Sequence, residues 1–398
     1  MSKIDKLIEQ LCPDGVEFRA LGEIGSIVTG LTGKSKNDFA SDGNALFVPY
    51  KNVFSNPALD LSFLERVSVQ DGEKQNRLEK GDIVFTASSE ISEEAGMTSV
   101  VTANPAQDIY LNSFCFLIRP FNQNDLYPEF AKHLFRSRTI RKAIVRTANG
   151  VTRFNISKAR LLKISIPVPP MEVQREIVRI LDSFAELEAE LEAELEKRQR
   201  QYNCCLNRLF ERCDSLSTSR FSLNNAFEMK AGQSIKSDLI HPVCSTGCMF
   251  PCYGGNGIRG YVSAPNQHED AVLIGRQGAL CGNVCYAPAG FYATEHAVVV
   301  RPKIKMNKRF AYYLLRQANL AQYKTAGAQP GLSVNRLKRV EISVPDIEEQ
   351  RRIVSILDKF DALVNDLSSG IPAEIEARRK QYEYYRDKLL TFKEKPGN

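Results

Sequence analysis

The chain has 398 residues, 43% of them hydrophobic and 25% charged, with a formal net charge of +6. That length exceeds one ordinary domain and supplies apolar material for two or more cores. The mild basic balance excludes an indiscriminate polyanion binder, and no run approaches the roughly 20 apolar residues of a membrane span.

The first residues, MSKIDKLIEQLCPDGVEF, hold no uninterrupted apolar core, so no secretory leader is expected. With ten cysteines and no leader, reduced thiols and a cytoplasmic location are expected. Strand-like runs follow at 45–49, 82–87, 98–102 and 112–118. The second of these passes into the polar turn Ser88-Ser89, and the last ends in Arg119-Pro120. A helical stretch, EFAKHLFRSRTIRKAI, leads through a Gly-containing polar loop at 147–154 to a strand-like run closing on Pro169.

From Met171 the apolar positions are Ile177, Ile180, Leu181, Phe184, Leu187, Leu191, Leu195, Tyr202, Leu206 and Leu209. Steps of three and four place them on one helical stripe. Nothing between 171 and 210 is Gly or Pro, so the pattern predicts one helix there, about 60 Å long at 1.5 Å per residue. Its middle carries the tetrad AELE three times over 185–196, an acidic, solvated face that repels phosphate.

The second half repeats this plan. Strand-like runs at 271–274, 282–287 and 297–301 surround the turn Gly275-Arg276-Gln277-Gly278, and the last ends in Arg301-Pro302. The helical stretch RFAYYLLRQANLAQYK, a polar loop at 325–332 and a strand-like run closing on Pro345 come next. A second stripe runs through Ile353, Ile356, Leu357, Phe360, Leu363, Leu367, Ile371, Ile375, Tyr382, Tyr385 and Leu389. Ser368-Ser369-Gly370-Ile371-Pro372 interrupts it, which predicts a kink or short break.

The repetition is literal in the frame. Residues 156–187 align without a gap to 332–363, with 16 of 32 identical, and 197–210 match 377–390. Asp5-Lys6-Leu7-Ile8 echoes Asp387-Lys388-Leu389-Leu390, while Leu21 and Gly30 match Leu223 and Gly232. The repeat thus leaves the C-terminus and resumes at the N-terminus. The expected fold is α+β: two mixed globules at 1–168 and 213–345, joined by long antiparallel helices at 169–212 and 346–395 in a pseudo-two-fold circular arrangement, the helices forming a coiled coil.

The two inserts differ most in polar loops that carry fork-shaped, amide and cationic side chains. Such groups read DNA: Arg bonds guanine through two donors, and Asn or Gln bonds adenine. In the first insert the candidates are Thr29, Lys34, Lys36, Asn37, Tyr50, Lys51, Asn52, Ser88, Ser89 and Arg153. In the second they are Tyr253, Asn256, Arg259, Arg276, Gln277, Lys324 and Gln329. The plain counter-reading is that turns are polar for their own backbone reasons. Cys244, Cys248, Cys252, Cys281 and Cys285 crowd one stretch, but C-x3-C is not the usual zinc spacing, and no metal is expected.

The paired segments ISIPVPPMEVQREIVRILDSF and VEISVPDIEEQRRIVSILDKF, the tail PAEIEARRKQYEYYRDKLLTF and the triple AELE together resemble the specificity subunits of Type I restriction–modification systems, over essentially the whole chain. The tetrads resemble one subgroup of that family. The resemblance implies a non-catalytic subunit with two target-recognition domains, each reading half of a bipartite, asymmetric site in double-stranded DNA. It also implies that the long helices act as spacer and docking post for two modification subunits, which methylate adenine at N6, and for restriction subunits. S-adenosylmethionine, ATP and Mg2+ would belong to those partners, and none to this chain. Leu181, Phe184, Leu357 and Phe360, which recur in both copies, are the candidate subunit interface.

The residues agree with that division of labour. Asn104-Pro105 and Asn56-Pro57 are each followed by Ala, so no Asn-Pro-Pro-aromatic methylation motif occurs, and no G-x-x-x-x-G-K-[ST] loop is present. The rival expectation is a coiled-coil scaffold joining two protein-binding domains without DNA contact. Salt-sensitive duplex binding separates the two.

Overall fold

The computed structural model of the chain describes residues 3–39, 41–70, 72–215, 219–278, 280–325, 331–366 and 369–396. The chain divides into two compact units, Met1–Glu190 with Ile375–Asn398, and Leu191–Glu374. Both are mixed α+β, and the boundary falls inside the long helix Met171–Ser215, which has 45 residues.

In the first unit an antiparallel sheet orders Gly25–Thr29, Cys115–Pro120, Ile83–Thr86 and Thr98–Val100. A second sheet places Ala45–Val48 between Glu65–Val67, antiparallel, and Ile109–Leu111, parallel. Ile83, Phe85, Phe116 and Ile118 project from the first sheet into a core shared with Phe130, Leu134 and the long-helix residues Val173, Ile177 and Leu181.

The second unit repeats both sheets. Phe227–Ala231, Ala297–Pro302, Ala271–Gly275 and Val284–Ala287 form the first, in the same order. The second places Phe250–Gly254 between Gly257–Val262, antiparallel, and Tyr292–Ala293, parallel. The Gly30–Gly232 match has a physical cause. A Cβ on Gly30 would collide with the Asn112 carbonyl, and one on Gly232 with the Ala293 and Thr294 carbonyls. Only glycine lets the two backbones approach there.

In the first unit the long helix meets Ile371–Leu389, the second C-terminal helix. Phe184 stacks on Tyr385 with ring centroids 5.4 Å apart, and Arg379 Nε donates to Glu188 at 2.5 Å, so the two run antiparallel. In the second unit the partner is Ile347–Asn365, with Tyr202 near Asp361 and Arg212 near Glu349, again antiparallel. The expected interruption is a break. One helix ends at Asn365 and the next starts at Ile371, with Pro372 in its first turn, where a missing N–H costs nothing. Val16 N donates to the Lys393 carbonyl at 2.8 Å and Lys395 N to the Val16 carbonyl at 2.9 Å, which joins the two ends of the chain within the first unit.

Two residues of the repeat clamp each unit onto the frame. Gln174 is buried; its Oε1 accepts from Tyr127 N at 2.7 Å, and its Nε2 donates to the carbonyls of Asp125 at 3.0 Å and Pro169 at 2.8 Å. Gln350, equally buried, accepts from Asn307 N at 2.8 Å and donates to the Pro345 carbonyl at 2.9 Å. The second clamp is an aspartate. Asp182 meets His133 Nε2 at 2.8 Å and Lys132 Nζ at 3.0 Å, while His133 Nδ1 lies 2.9 Å from the Tyr382 hydroxyl. Asp358 instead accepts from Arg309 Nη2 at 2.6 Å and from the Tyr313 hydroxyl at 2.5 Å.

Candidate nucleic-acid interface

The first unit opens a cleft of about 530 Å³, against about 660 Å³ for its counterpart in the second unit. Ser88–Ser89, which continues the central strand Ile83–Thr86, pairs with Phe154–Ile156 returning from the polar loop. That pairing brings Arg153 Nε within 3.0 Å of Ser88 Oγ. Pro49 starts the short helix Tyr50–Ser55, and the Tyr50 hydroxyl donates to the Ser88 carbonyl at 2.9 Å. Burial pushes the Tyr50 phenol above its ordinary pKa, so it stays a donor. Tyr50, Lys51, Ser88, Ser89 and Arg153 therefore line one opening, together with Phe54, Glu90, Ile91, Glu94 and Phe114, which the loop reading had not singled out.

The cleft of the second unit occupies the corresponding place in the sheet plan. The strand Ala271–Gly275 runs on into Arg276-Gln277, and Gln277 pairs with Gly331 while Leu332 N donates to the Arg276 carbonyl at 2.8 Å. Here the walls are glycine backbone: Gly254, Gly255, Gly257, Gly278 and Gly331. A Cβ on Gly275 would strike the Gly255 carbonyl, so the hairpin Phe250–Val262 can close onto the central strand only because glycine stands there. Asn256, Ile258, Arg259, Gln277 and His296 supply the side chains. Arg259 Nη2 reaches Ser237 Oγ at 3.3 Å, and the Asn256 carbonyl oxygen accepts from Asn283 Nδ2 at 3.4 Å. Both bonds are long, which leaves these exposed groups free to exchange partners. His296 was not among the candidates; in the sequence it stands only as a histidine immediately before the strand-like run 297–301.

Several candidates are structural. Asn52 is fully buried, donating to the carbonyls of Asp60 at 2.7 Å and Phe63 at 2.8 Å and accepting from Asp60 N at 3.1 Å, so its amide is consumed in holding a turn. Tyr253 is buried against Phe291 with ring centroids 5.5 Å apart. Lys34 is held by Glu73 at 2.5 Å, and this bond, with those from Gln70 N–H and the Gln75 amide, pulls the Glu73 carboxyl down to about 2. These three are corrected from base-reading to structural roles. The burial of each could not be inferred from loop composition.

Thr29, Lys36, Asn37 and Lys324 are exposed, and Arg276 is half-buried, all outside the residues that line either cleft. Gln329 lies outside the described residues. Leu181 and Leu357 are fully buried in their cores and offer no surface to a partner. Phe184 and Phe360 are half-buried, and one turn on, Leu187 and Leu363 are exposed at matching positions of the repeat. Among the described residues no three metal-ligating side chains gather, and Cys252 and Cys281 are buried in the second unit.

Comparison with known proteins matches residues 13–197 and 220–377 to the family described as the Type I restriction modification DNA specificity domain. The chain is 34% identical over 389 residues to the Type I restriction enzyme EcoprrI specificity subunit of Escherichia coli, covering 92% of each chain. Among solved structures it resembles the Type-I restriction-modification system S subunit from M. genitalium, with a TM-score of 0.54, 18% identity, and coverage of 94% of this chain and 96% of that one. A chain from a structure on complex assembly and conformational transition of the type I R-M system gives a TM-score of 0.62 at 20% identity, covering 94% and 97%.

Proposed function

The chain belongs to the Type I restriction modification DNA specificity family, and from that premise we propose that each of its two units reads one half of a bipartite, asymmetric DNA site. It is a specificity subunit with two recognition domains, and not a catalytic one. The observation that supports the half-site reading is the pair of clefts. One sheet plan occurs twice, each copy opens at the end of its central strand, and the linings differ. A shared scaffold with unlike linings suits two unlike sequences.

In the second unit Arg259, Asn256 and Gln277 carry the fork and amide groups that discriminate guanine and adenine in the major groove, beside glycine backbone that permits close approach. In the first unit Arg153 and Lys51 stand at a cleft rim where phosphate contacts would fix register.

Specificity subunits of Type I systems work with modification subunits, restriction subunits and DNA. We take this chain to hold two modification subunits at its two equivalent frame positions, around Phe184 with Leu187 and Phe360 with Leu363. S-adenosylmethionine, ATP and Mg2+ then reside on the partners. No helix among the described residues is long and apolar enough to cross a membrane, and the proposed place of action is the cytoplasm.

The test is to map N6-methyladenine in cells carrying this chain with its modification subunits. One asymmetric two-part motif that disappears with the chain is expected. A motif unaffected by removing the chain would defeat the reading.

A further inference from the structure

The first unit's cleft gathers apolar groups at a surface where they are not needed for packing. Phe114 is 58% exposed and Ile91 51% exposed, and both line the opening beside Phe54 and Tyr50. Single exposed apolar residues need no explanation, but several walling one opening mark a binding surface. The corresponding cleft of the second unit has one exposed aliphatic side chain, Ile258, and no aromatic ring among its lining residues apart from the imidazole of His296.

Charge decides what can enter. Glu90 and Glu94 line the cleft along with Lys51 and Arg153. Two carboxylates beside an apolar wall repel phosphate, so DNA can present only a base edge to this wall, its backbone being left to the two cations. In the major groove the one apolar feature of a base edge is the C5 methyl of thymine. Its adenine partner offers an N6 amino donor, which a carboxylate accepts.

We propose that the first unit reads an A·T pair by seating the thymine methyl against Phe114 and Ile91, with Glu90 or Glu94 accepting from the adenine amino group. This rests on the DNA-reading role above and deepens it: one domain reads by apolar contact, the other by forks and amides.

Uracil scanning tests it. Randomised duplexes are selected with the assembled complex of this chain and its modification subunits. Each thymine of the selected duplex is then replaced in turn by uracil, which removes only the C5 methyl. Burial of one methyl corresponds to about a fourfold change in affinity, so at least one thymine of one half-site should show that loss. With Phe114→Ala or Ile91→Ala, thymine and uracil at that position should bind alike. Selection of the other half-site should be unchanged, which also shows that the variants fold. Absence of any uracil penalty, or a penalty that both variants leave intact, overturns the proposal and assigns the apolar wall to a protein partner. If the complex selects no sequence, the DNA-reading role fails, and the proposal fails with it.

Discussion

Asp182 and Asp358 hold the same position in the repeat, yet one faces an imidazole and the other a guanidinium. In the first unit His133 is buried and joins Asp182 to Tyr382. In the second, Tyr313 stands where His133 does, and Arg309 caps the same carboxylate while stacking 4.8 Å from the Tyr286 ring centroid. Arg316 continues the network to Tyr202 and Asp361. The frame keeps an acceptor, and each insert supplies whatever donor it has. That asymmetry explains why the repeat is legible in the frame and faint in the inserts: frame residues must fit a fixed partner, while insert residues need only present a proton.

The largest test of this modularity is exchange of 213–331 for the corresponding segment of another specificity subunit. Methylome sequencing should show one half-site replaced and the other intact. Simultaneous change in both would mean that the inserts do not read independently.

The two glutamine clamps allow a graded comparison. Gln174→Ala leaves one N–H and two carbonyls without a partner, whereas Gln350→Ala strands one of each. Unsatisfied buried groups cost about 1–3 kcal/mol each, so a loss of about 3–9 kcal/mol is the ceiling for Gln174→Ala and about 2–6 kcal/mol for Gln350→Ala, reduced in both wherever water reaches the stranded group. Hydrogen exchange at the Tyr127 and Asn307 amides reports each unit separately, which avoids treating the chain as two-state. Equal effects in both units would show that the third bond contributes nothing.

At the clefts, Arg259→Ala should weaken one half-site by about 1–3 kcal/mol if its guanidinium reads a base. Arg276→Ala, half-buried and off the lining, should do less. Uniform loss across unrelated duplexes would reassign Arg259 to phosphate contact, and this is checked by titration at two salt concentrations.

How much of this was visible in the sequence follows from which forces act locally. The long stripe from Ile177 to Leu209 and the Gly–Pro interruption before the last helix are local properties, and both appear in the structure. The central strands around Val84, Leu117, Leu273 and Val299 were legible as buried apolar runs. The hairpin Phe250–Val262 was not: its glycines and proline read as loop, although its two strands pair with each other and Cys252 and Tyr253 also pair with Tyr292–Ala293, forty residues on. In the site, polarity found the right loops but not the right side chains. Asn52 and Tyr253 lie in the proper segments and face inward, while Phe114 and Ile91 face outward, and their phenyl and aliphatic side chains carry no hydrogen-bonding signal in the sequence.

The smallest expected effect is a pH response confined to the first unit. Burial is the main cause of a depressed His133 pKa, opposed by its hydrogen bond to Asp182 and reinforced by Lys132. Neutral His133 donates through Nε2 to Asp182 and accepts through Nδ1 from the Tyr382 hydroxyl, an arrangement that protonation of Nδ1 breaks. The unfolded state takes up its proton near the ordinary histidine value of about 6.5, before the folded state does. Stability from this site is therefore complete above that pH and is lost as pH falls through the folded value. Burial alone would raise the Asp182 carboxyl, but its bonds to His133 and Lys132 outweigh it and hold it below the ordinary carboxylate range, so it stays ionised across this window. Amide exchange in the helix Pro128–Leu134 should quicken as pH is lowered from 7.5 toward 5.5, after correction for intrinsic rates, while Lys308–Gln317 stays constant. His133→Tyr, which installs the second unit's residue, should abolish the difference; a response that persists in that variant would place its origin elsewhere.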